Sequence, residues 1–252
     1  EAERAERFAR PFEWALGLLK DLRVRAILRR APGPGAILDV GCGRGDLLER
    51  FVRLGWRAVG TQVSRTAAAA ARRCRAVDVR VGELTSLDLP EAGFDVITFF
   101  HVLEHLPRPA DYLERSRALM ADGGLLVVEV PDCGGPGFRL LRRRSLTFDH
   151  PNHLAFFTRR SLTSLLERCG FRIEGESRFS LEYSPYTTLQ NTLNALPGEP
   201  NRLYRALRRN PAGRALWRSP WTLVHALLAA GLAGPALLVS LGTLVFGPVR
   251  FA

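Results

Sequence analysis

Three stretches of the chain carry residue types able to do chemistry. The first is Asp39-Val40-Gly41-Cys42-Gly43-Arg44-Gly45-Asp46, where glycines at alternate positions follow an acidic residue. Glycine reaches positive φ without steric cost and lets main-chain N–H groups come close to a ligand. A helix starting directly afterwards would put those amides at its positive end, so a nucleotide-like ligand is expected. The spacing is G-x-G-x-G; a dinucleotide-binding G-x-G-x-x-G turn would carry glycine or alanine where this chain has Asp46. The second stretch holds His101, Glu104 and His105, and the third is Phe148-Asp149-His150-Pro151-Asn152-His153-Leu154. Imidazole and carboxylate are suited to moving a proton near neutral pH, although the same groups could cap a helix or hold a loop. Glu104, His105 and His153 come from separate stretches and form no metal-ligand signature, so no metal is expected.

These stretches have to be positioned by regular elements. Ala36 to Val40, Arg57 to Thr61, Val77 to Val81, Asp95 to Phe100 and Leu125 to Val130 are short apolar runs that read as strands. Asp46 to Leu54, Ser64 to Arg73 and Pro109 to Met120 read as helices between them. Strands alternating with helices imply a parallel sheet covered on both faces, with ligands bound at the carboxyl ends of the strands. Residues 158 to 170 give a further helix, capped by Thr158 or Ser161 and stopped by Gly170, before the strand-like Phe171 to Arg178. Ahead of the sheet, Phe8, Phe12, Leu16, Leu19 and Leu22 recur at helical spacing until Pro32-Gly33-Pro34-Gly35 breaks the pattern, which predicts an N-terminal helical arm and a linker.

Ile37-Leu38-Asp39-Val40-Gly41-Cys42-Gly43-Arg44-Gly45 resembles the first motif of class I S-adenosylmethionine-dependent methyltransferases. Phe94 to Leu106 resembles the fourth-strand segment of that family, and Leu119-Met120-Ala121-Asp122-Gly123-Gly124-Leu125 its turn into strand five. The resemblance, closest to small-molecule enzymes such as the ubiquinone-biosynthesis methyltransferases, covers roughly residues 36 to 180. It implies an α/β, Rossmann-like, doubly wound and mostly parallel seven-stranded sheet with helices on both faces. It also implies S-adenosyl-L-methionine as cofactor, held by Asp39, Gly41, Cys42, Gly43, Gly45, Gln62, Glu83, Leu84 and His101. Gln62 stands where the family usually has an acidic residue for the ribose hydroxyls, and Glu83 where it has a carboxylate near the adenine amino group. The implied reaction is in-line transfer of a methyl group to a hydroxyl, amine or carboxyl, with His153 the first candidate for a base or orienting group and His101 and His150 behind it. The Asn/Asp-Pro-Pro-Tyr motif of enzymes that methylate exocyclic amines is absent, which disfavours nucleic-acid bases as acceptors. A non-catalytic cofactor-binding or membrane-associated protein and an RNA methyltransferase are the alternatives.

Composition sets the outer bounds. The chain has 252 residues with a net charge of +11, and Lys20 is its one lysine, so the excess is arginine, whose planar fork suits phosphate. Four widely spaced cysteines with no C-x-x-C pair exclude a zinc knuckle and favour a reducing, cytoplasmic setting. Residues 219 to 249 contain no charge and follow Arg202, Arg205, Arg208, Arg209, Arg214 and Arg218. That length could reach across a bilayer core, but Gly231, Gly234 and Pro235 interrupt it. The expectations are a kinked span or shallow hairpin of Trp221 to Gly234 and Pro235 to Gly247, or else a helix at Trp221 to Ala230 and a seventh strand at Gly242 to Phe246. The expected organisation is an arm at 1–32, a cofactor-binding domain at 33–183, an Arg-rich helical segment at 184–218 and an apolar extension at 219–252. The expected partners are a small-molecule or lipid-linked acceptor and an anionic membrane surface touched through residues 219–249.

Overall fold

In the structure, a computed structural model, residues 20–31, 33–72, 77–177, 180, 184–207 and 211–245 are described. Most of the expected N-terminal arm, including Phe8, Phe12, Leu16 and Leu19, lies outside them, as do Arg208 and Arg209. The chain divides into two compact units. One, the sheet unit, draws on Lys20–Pro131 and His153–Glu176; the other, the helical unit, draws on Asp132–Asn152 and Ser177–Val249.

The sheet unit starts with a helix at 20–28 (α1). There follow β1 (Ala36–Val40), α2 (Asp46–Arg53), β2 (Arg57–Gln62), α3 (Arg65–Ala71), β3 (Val77–Val81), β4 (Phe94–Phe100), α4 (Pro109–Leu119) and β5 (Met120–Glu129). All pairings are parallel and the strand order is β3-β2-β1-β4-β5. Because side chains alternate along a strand, neighbouring residues serve opposite faces. Leu38, Ile97 and Leu126 join a core with Leu113 and Leu119 of α4 and Leu165 and Leu166 of α6 (Arg159–Arg168). Ile37, Val96 and Val127 join a second core with Val24 and Ile27 of α1, Leu48 and Phe51 of α2, and Ala68 of α3. Burial on both faces explains why the strands read as near-continuous apolar runs.

The sheet has five strands among the described residues, not the seven expected. Residues 171–177 form no strand, and Arg178 lies outside the description. The acidic side chains of this segment are engaged locally: Glu176 accepts from Thr163 at 3.2 Å and pairs with Arg159, while Glu174 pairs with Arg172. Thr158 caps α6, with Ser161 completing a reciprocal capping box.

The helical unit contains α5 (Pro136–Leu141), α7 (Ser184–Asn194), α8 (Arg202–Leu207), α9 (Pro211–Leu216) and α10 (Pro220–Val245). Leu193, Leu203 and Ala229 centre its core. The long α10 contains the expected helix at Trp221 to Ala230 but corrects the rest of the C-terminal expectations: it passes through Pro235 as one helix, with neither a hairpin at Gly234 nor a strand at 242–245, and Phe246 lies outside the described residues. Intrahelical bonding on either side of Pro235 tolerates the loss of one N–H donor. Among the described residues no helix is long and apolar enough to cross a membrane.

Candidate functional site

In the strand order β3-β2-β1-β4-β5 the chain reverses direction across the sheet between β1 and β4, and a parallel sheet presents its ligand crevice there. The chemistry-bearing residues of the sheet unit follow the carboxyl ends of these strands. Gly41, Gly43 and Gly45 have φ of +73°, +54° and +75°. The turn is tied to β2 by the N–H groups of Gly41 and Cys42, which both donate to the Thr61 carbonyl at 3.0 and 3.1 Å. At Gly41 a Cβ would lie 2.6 Å from Val102 Cγ2, so that glycine is demanded by packing. At Gly43 a Cβ would meet nothing within 4 Å, so the turn faces open space at the start of α2. The tight glycine turn expected from the sequence is present, with positive φ at all three glycines.

Asp39 lies beneath this turn, 5% exposed, and accepts from Thr98 Oγ1 at 2.6 Å. Burial raises its pKa to about 7, with the Thr98 hydrogen bond and the charge of Arg23 pulling the other way. Burial, and then the charge of Asp39, push the Cys42 thiol up to about 12, so Cys42 is a neutral packing residue. Asp46 at the helix start is bonded to Lys20 Nζ at 2.5 Å. Burial acts to raise its pKa, but the Lys20 hydrogen bond and the charges of Lys20, Arg44 and Arg50 outweigh that and lower it.

Gln62 ends β2, and its side-chain Oε1 accepts from the Val63 N–H at 3.1 Å. Glu83, after β3, is exposed and makes no capping bond to the short turn Leu84–Ser86 that it precedes. Its carboxylate is thus turned to solvent rather than used for capping. The Leu84 side chain is 1% exposed and part of the core, which leaves a ligand role to its main-chain N–H.

His101 follows β4 with φ of +57°, in the left-handed region uncommon for a residue with a Cβ. Its Nδ1 is 3.2 Å from Glu104 Oε1 and its Nε2 3.1 Å from Glu129 Oε1. Burial alone would lower its pKa, but the hydrogen bonds and charges of Glu104 and Glu129 prevail and raise it to about 9. A protonated imidazole with both N–H groups donated has no lone pair to receive a proton. Glu129 also takes the Arg23 guanidinium at 3.1 Å, and Arg23 stacks over Phe100 with its carbon 4.1 Å from the ring centroid. Arg23 and Glu129 were not singled out in the sequence. Glu129, an acid in the apolar run Leu125 to Val130, was detectable by its type; Arg23 reaches the site only through tertiary packing of α1.

Glu104 is 1% exposed, and its Oε2 has no hydrogen-bond partner among the described residues. A ligand atom from each of Glu104, His105 and His153 lies within 4.8 Å of the others, and the two imidazoles meet edge to face at 4.8 Å. The Leu154 and Ala155 N–H groups donate to the Glu104 carbonyl at 2.7 and 3.0 Å, which fixes His153 beside it. Two imidazoles and a carboxylate form a donor set that a divalent cation accepts, and equally a set that can receive a proton. His150 belongs to the helical unit, where its ring stacks on Phe148 at 6.3 Å. The structure thus gathers His101, Glu104, His105 and His153 in one unit and assigns His150 to the other.

Comparison with known proteins agrees with this arrangement. A family model described as a methyltransferase domain matches residues 12–176. A probable S-adenosylmethionine-dependent methyltransferase of Mycolicibacterium smegmatis is 32% identical over 141 residues, which are 55% of this chain and 52% of that protein. A ubiquinone biosynthesis O-methyltransferase of Bradyrhizobium sp. strain ORS 278 is 34% identical over 109 residues, 41% of this chain and 43% of that protein. The chain therefore spans about half the length of the curated relatives it matches. A crystal structure of a SAM-dependent methyltransferase from Archaeoglobus fulgidus superposes with a TM-score of 0.52 at 25% identity, over 65% of this chain and 74% of that one. With the turn, strand order and family match in agreement, the chain belongs to the methyltransferase-domain family.

Proposed function

We propose that the protein transfers the methyl group of S-adenosylmethionine to a hydroxyl, amine or carboxyl of a small or lipid-linked acceptor. The observation that carries this reading is the open turn at Gly43 above a buried Asp39, at the reversal point of the sheet. In this reading residues 33–183 form the cofactor-binding domain, 1–32 its arm, and 184–218 and 219–252 its Arg-rich and apolar continuations. S-adenosylmethionine supplies, when bound, a methyl group on a positively charged sulfur that needs no further activation. The amides of Gly41 to Gly45 hold the methionine end, Glu83 accepts from the adenine amino group, and Gln62 accepts from a ribose hydroxyl. His153 receives the proton of the acceptor, and the unpartnered Oε2 of Glu104 stabilises the charged imidazole that results. His101 is a positioning residue, holding Glu104 and Glu129 in place as their shared cation. Peripheral contact with an anionic membrane surface is supported by the exposed Arg214 and Arg218 on the same unit as exposed apolar residues of α10.

The test is incubation with S-adenosylmethionine labelled in its methyl group and fractionated extract. Label entering a lipid or metabolite pool with release of S-adenosylhomocysteine supports the reading. Label confined to RNA, or no release, removes it.

Two further outcomes follow from the binding residues. A carboxylate at position 62 would make charge-assisted bonds to the ribose, roughly twice as strong as those of an amide. Gln62→Glu is therefore expected to lower the Kd for S-adenosylhomocysteine by about three- to tenfold in calorimetry; weaker binding would displace the ribose from this position. The second outcome concerns pH. Asp39 is protonated below about 7, and a cationic amino group nearby favours its ionised form, so binding at low pH must first expel a proton. Affinity should rise from pH 6 to pH 8 by about tenfold, the change one pKa unit permits, and Asp39→Asn should flatten the profile.

A further inference from the structure

The helical unit contains a cavity of about 270 Å³ lined by Pro197, Gly198, Glu199, Arg202, Trp221 and His225. Its wall is built in advance. The Arg144 guanidinium donates to the carbonyls of Asn194, Leu196 and Gly198 at 2.9, 2.7 and 3.0 Å, and Asn194 donates to Asn201 Oδ1 at 2.7 Å. The turn carrying Pro197 to Glu199 is thereby fixed from both ends.

The polar groups at this cavity are donors in excess of acceptors. Arg202 donates to Ser219 Oγ at 3.1 Å, and its other nitrogen lies 3.9 Å from Glu199, a carboxylate already paired with Arg205 at 3.0 Å. Two guanidinium groups sharing one carboxylate leave a net positive charge. His225 is 3% exposed, yet its Nδ1 has no hydrogen-bond partner among the described residues; Thr222 Oγ1, one helical turn earlier and outside the cavity lining, is buried and unpartnered in the same way. Burial, and then the charge of Arg202, lower the His225 pKa, so the ring is a neutral donor and acceptor rather than a second cation. Buried polar groups without partners are costly, and a ligand bringing acceptor oxygens relieves that cost.

The surface running on from the cavity is of the opposite kind. Trp221, Val224 and Leu228 recur at helical spacing on α10 and are exposed by 59, 40 and 39%. No acidic residue occurs after Glu199, and no charged residue of either sign between positions 219 and 249. A ligand matched to both features carries negative oxygens at one end and hydrocarbon at the other.

We propose that this cavity binds the carboxylate or phosphate head of an anionic amphiphile, whose chain lies along Trp221, Val224 and Leu228. The residues of this cavity belong to the helical unit, and the proposal does not depend on the assignment of the methyl-transfer residues. It binds a single amphiphile, and so is distinct from peripheral contact with a bilayer.

The full chain is titrated, below micelle formation, with dodecyl phosphate, dodecanoate, dodecanol and inorganic phosphate, following tryptophan fluorescence and calorimetry. The two anionic amphiphiles should bind at least tenfold more tightly than either dodecanol or inorganic phosphate. Arg202→Gln should erase most of that advantage over dodecanol, and Leu228→Asp should weaken all three long-chain ligands at least fivefold. Trp221→Ala, at an exposed position, provides a variant that does not challenge folding and should likewise weaken all three. Equal affinity for dodecanol and dodecyl phosphate would reduce the site to a non-selective apolar surface and overturn the proposal. Inorganic phosphate binding as tightly as dodecyl phosphate would overturn it in favour of a simple anion site. Binding to phosphatidylglycerol vesicles without binding to dissolved amphiphile would overturn it in favour of bilayer contact. Unchanged S-adenosylhomocysteine binding in each variant separates any of these results from a failure of the methyltransferase reading.

Discussion

Gly43→Val is expected to weaken S-adenosylmethionine binding at least 100-fold in calorimetry while leaving the protein folded. Two effects combine. A β-branched residue at φ +54° is strained by roughly 1–2 kcal/mol, and the turn escapes that strain only by moving the amides that face the ligand. The added side chain also projects into space that, chain neighbours aside, no protein atom occupies within 4 Å of its Cβ, the space assigned to the cofactor in the proposed function. Gly41→Val is the informative contrast, because its Cβ would strike Val102 Cγ2 at 2.6 Å and so disturb the packing of the turn. Thermal unfolding should therefore fall more for Gly41→Val than for Gly43→Val, although both lose binding. Retention of cofactor affinity by a folded Gly43→Val protein would detach the turn from the ligand.

The second large effect is on turnover. With the acceptor found by labelling, His153→Ala should reduce kcat by about 10²- to 10⁴-fold, the range a positioned general base supplies, with little change in cofactor Kd. Glu104→Gln keeps the shape of the side chain but removes the charge that stabilises a protonated His153, and should cost a smaller part of the same kcat. Rescue of His153→Ala at higher pH, where the acceptor ionises unaided, distinguishes proton removal from simple positioning. If kcat survives both substitutions, the acceptor is methylated without a base from this cluster. His101 is not an equivalent candidate, since its two nitrogens are committed to Glu104 and Glu129 and its pKa is raised to about 9.

Most of the sheet unit was legible because its constraints are local. Alternating apolar runs and helical patterns locate β1 to β4 within a residue or two, and the glycine spacing locates the cradle, since positive φ at three alternate positions leaves little choice of residue. The strand five expectation of Leu125 to Val130 was too short at its start, where pairing of Met120 with Phe94 extends the ladder through a register shift. The absence of a sixth and seventh strand among the described residues was not legible: Phe171 to Arg178 has the alternation of a strand, but a strand needs a neighbour, and Glu176 turns to Thr163 and Arg159 of α6 while Glu174 pairs with Arg172 within the segment. Pro235 misled for a related reason, because a single lost donor does not stop a helix whose other turns are intact. At the site, the sequence supplied the histidines but could not rank them. The ion pairs around His101 depend on Arg23 and Glu129, which are 106 residues apart in the chain.

Lys20 carries the one side-chain amine of the protein, and that amine is bonded to Asp46, the residue immediately after the glycine turn. An acylating reagent therefore has a single lysine address, beside the point where the glycine turn passes into α2. The rate of its modification reports on the Lys20–Asp46 contact, readable by mass spectrometry without introducing any label, and is expected to fall if ligand binding at the turn strengthens that contact.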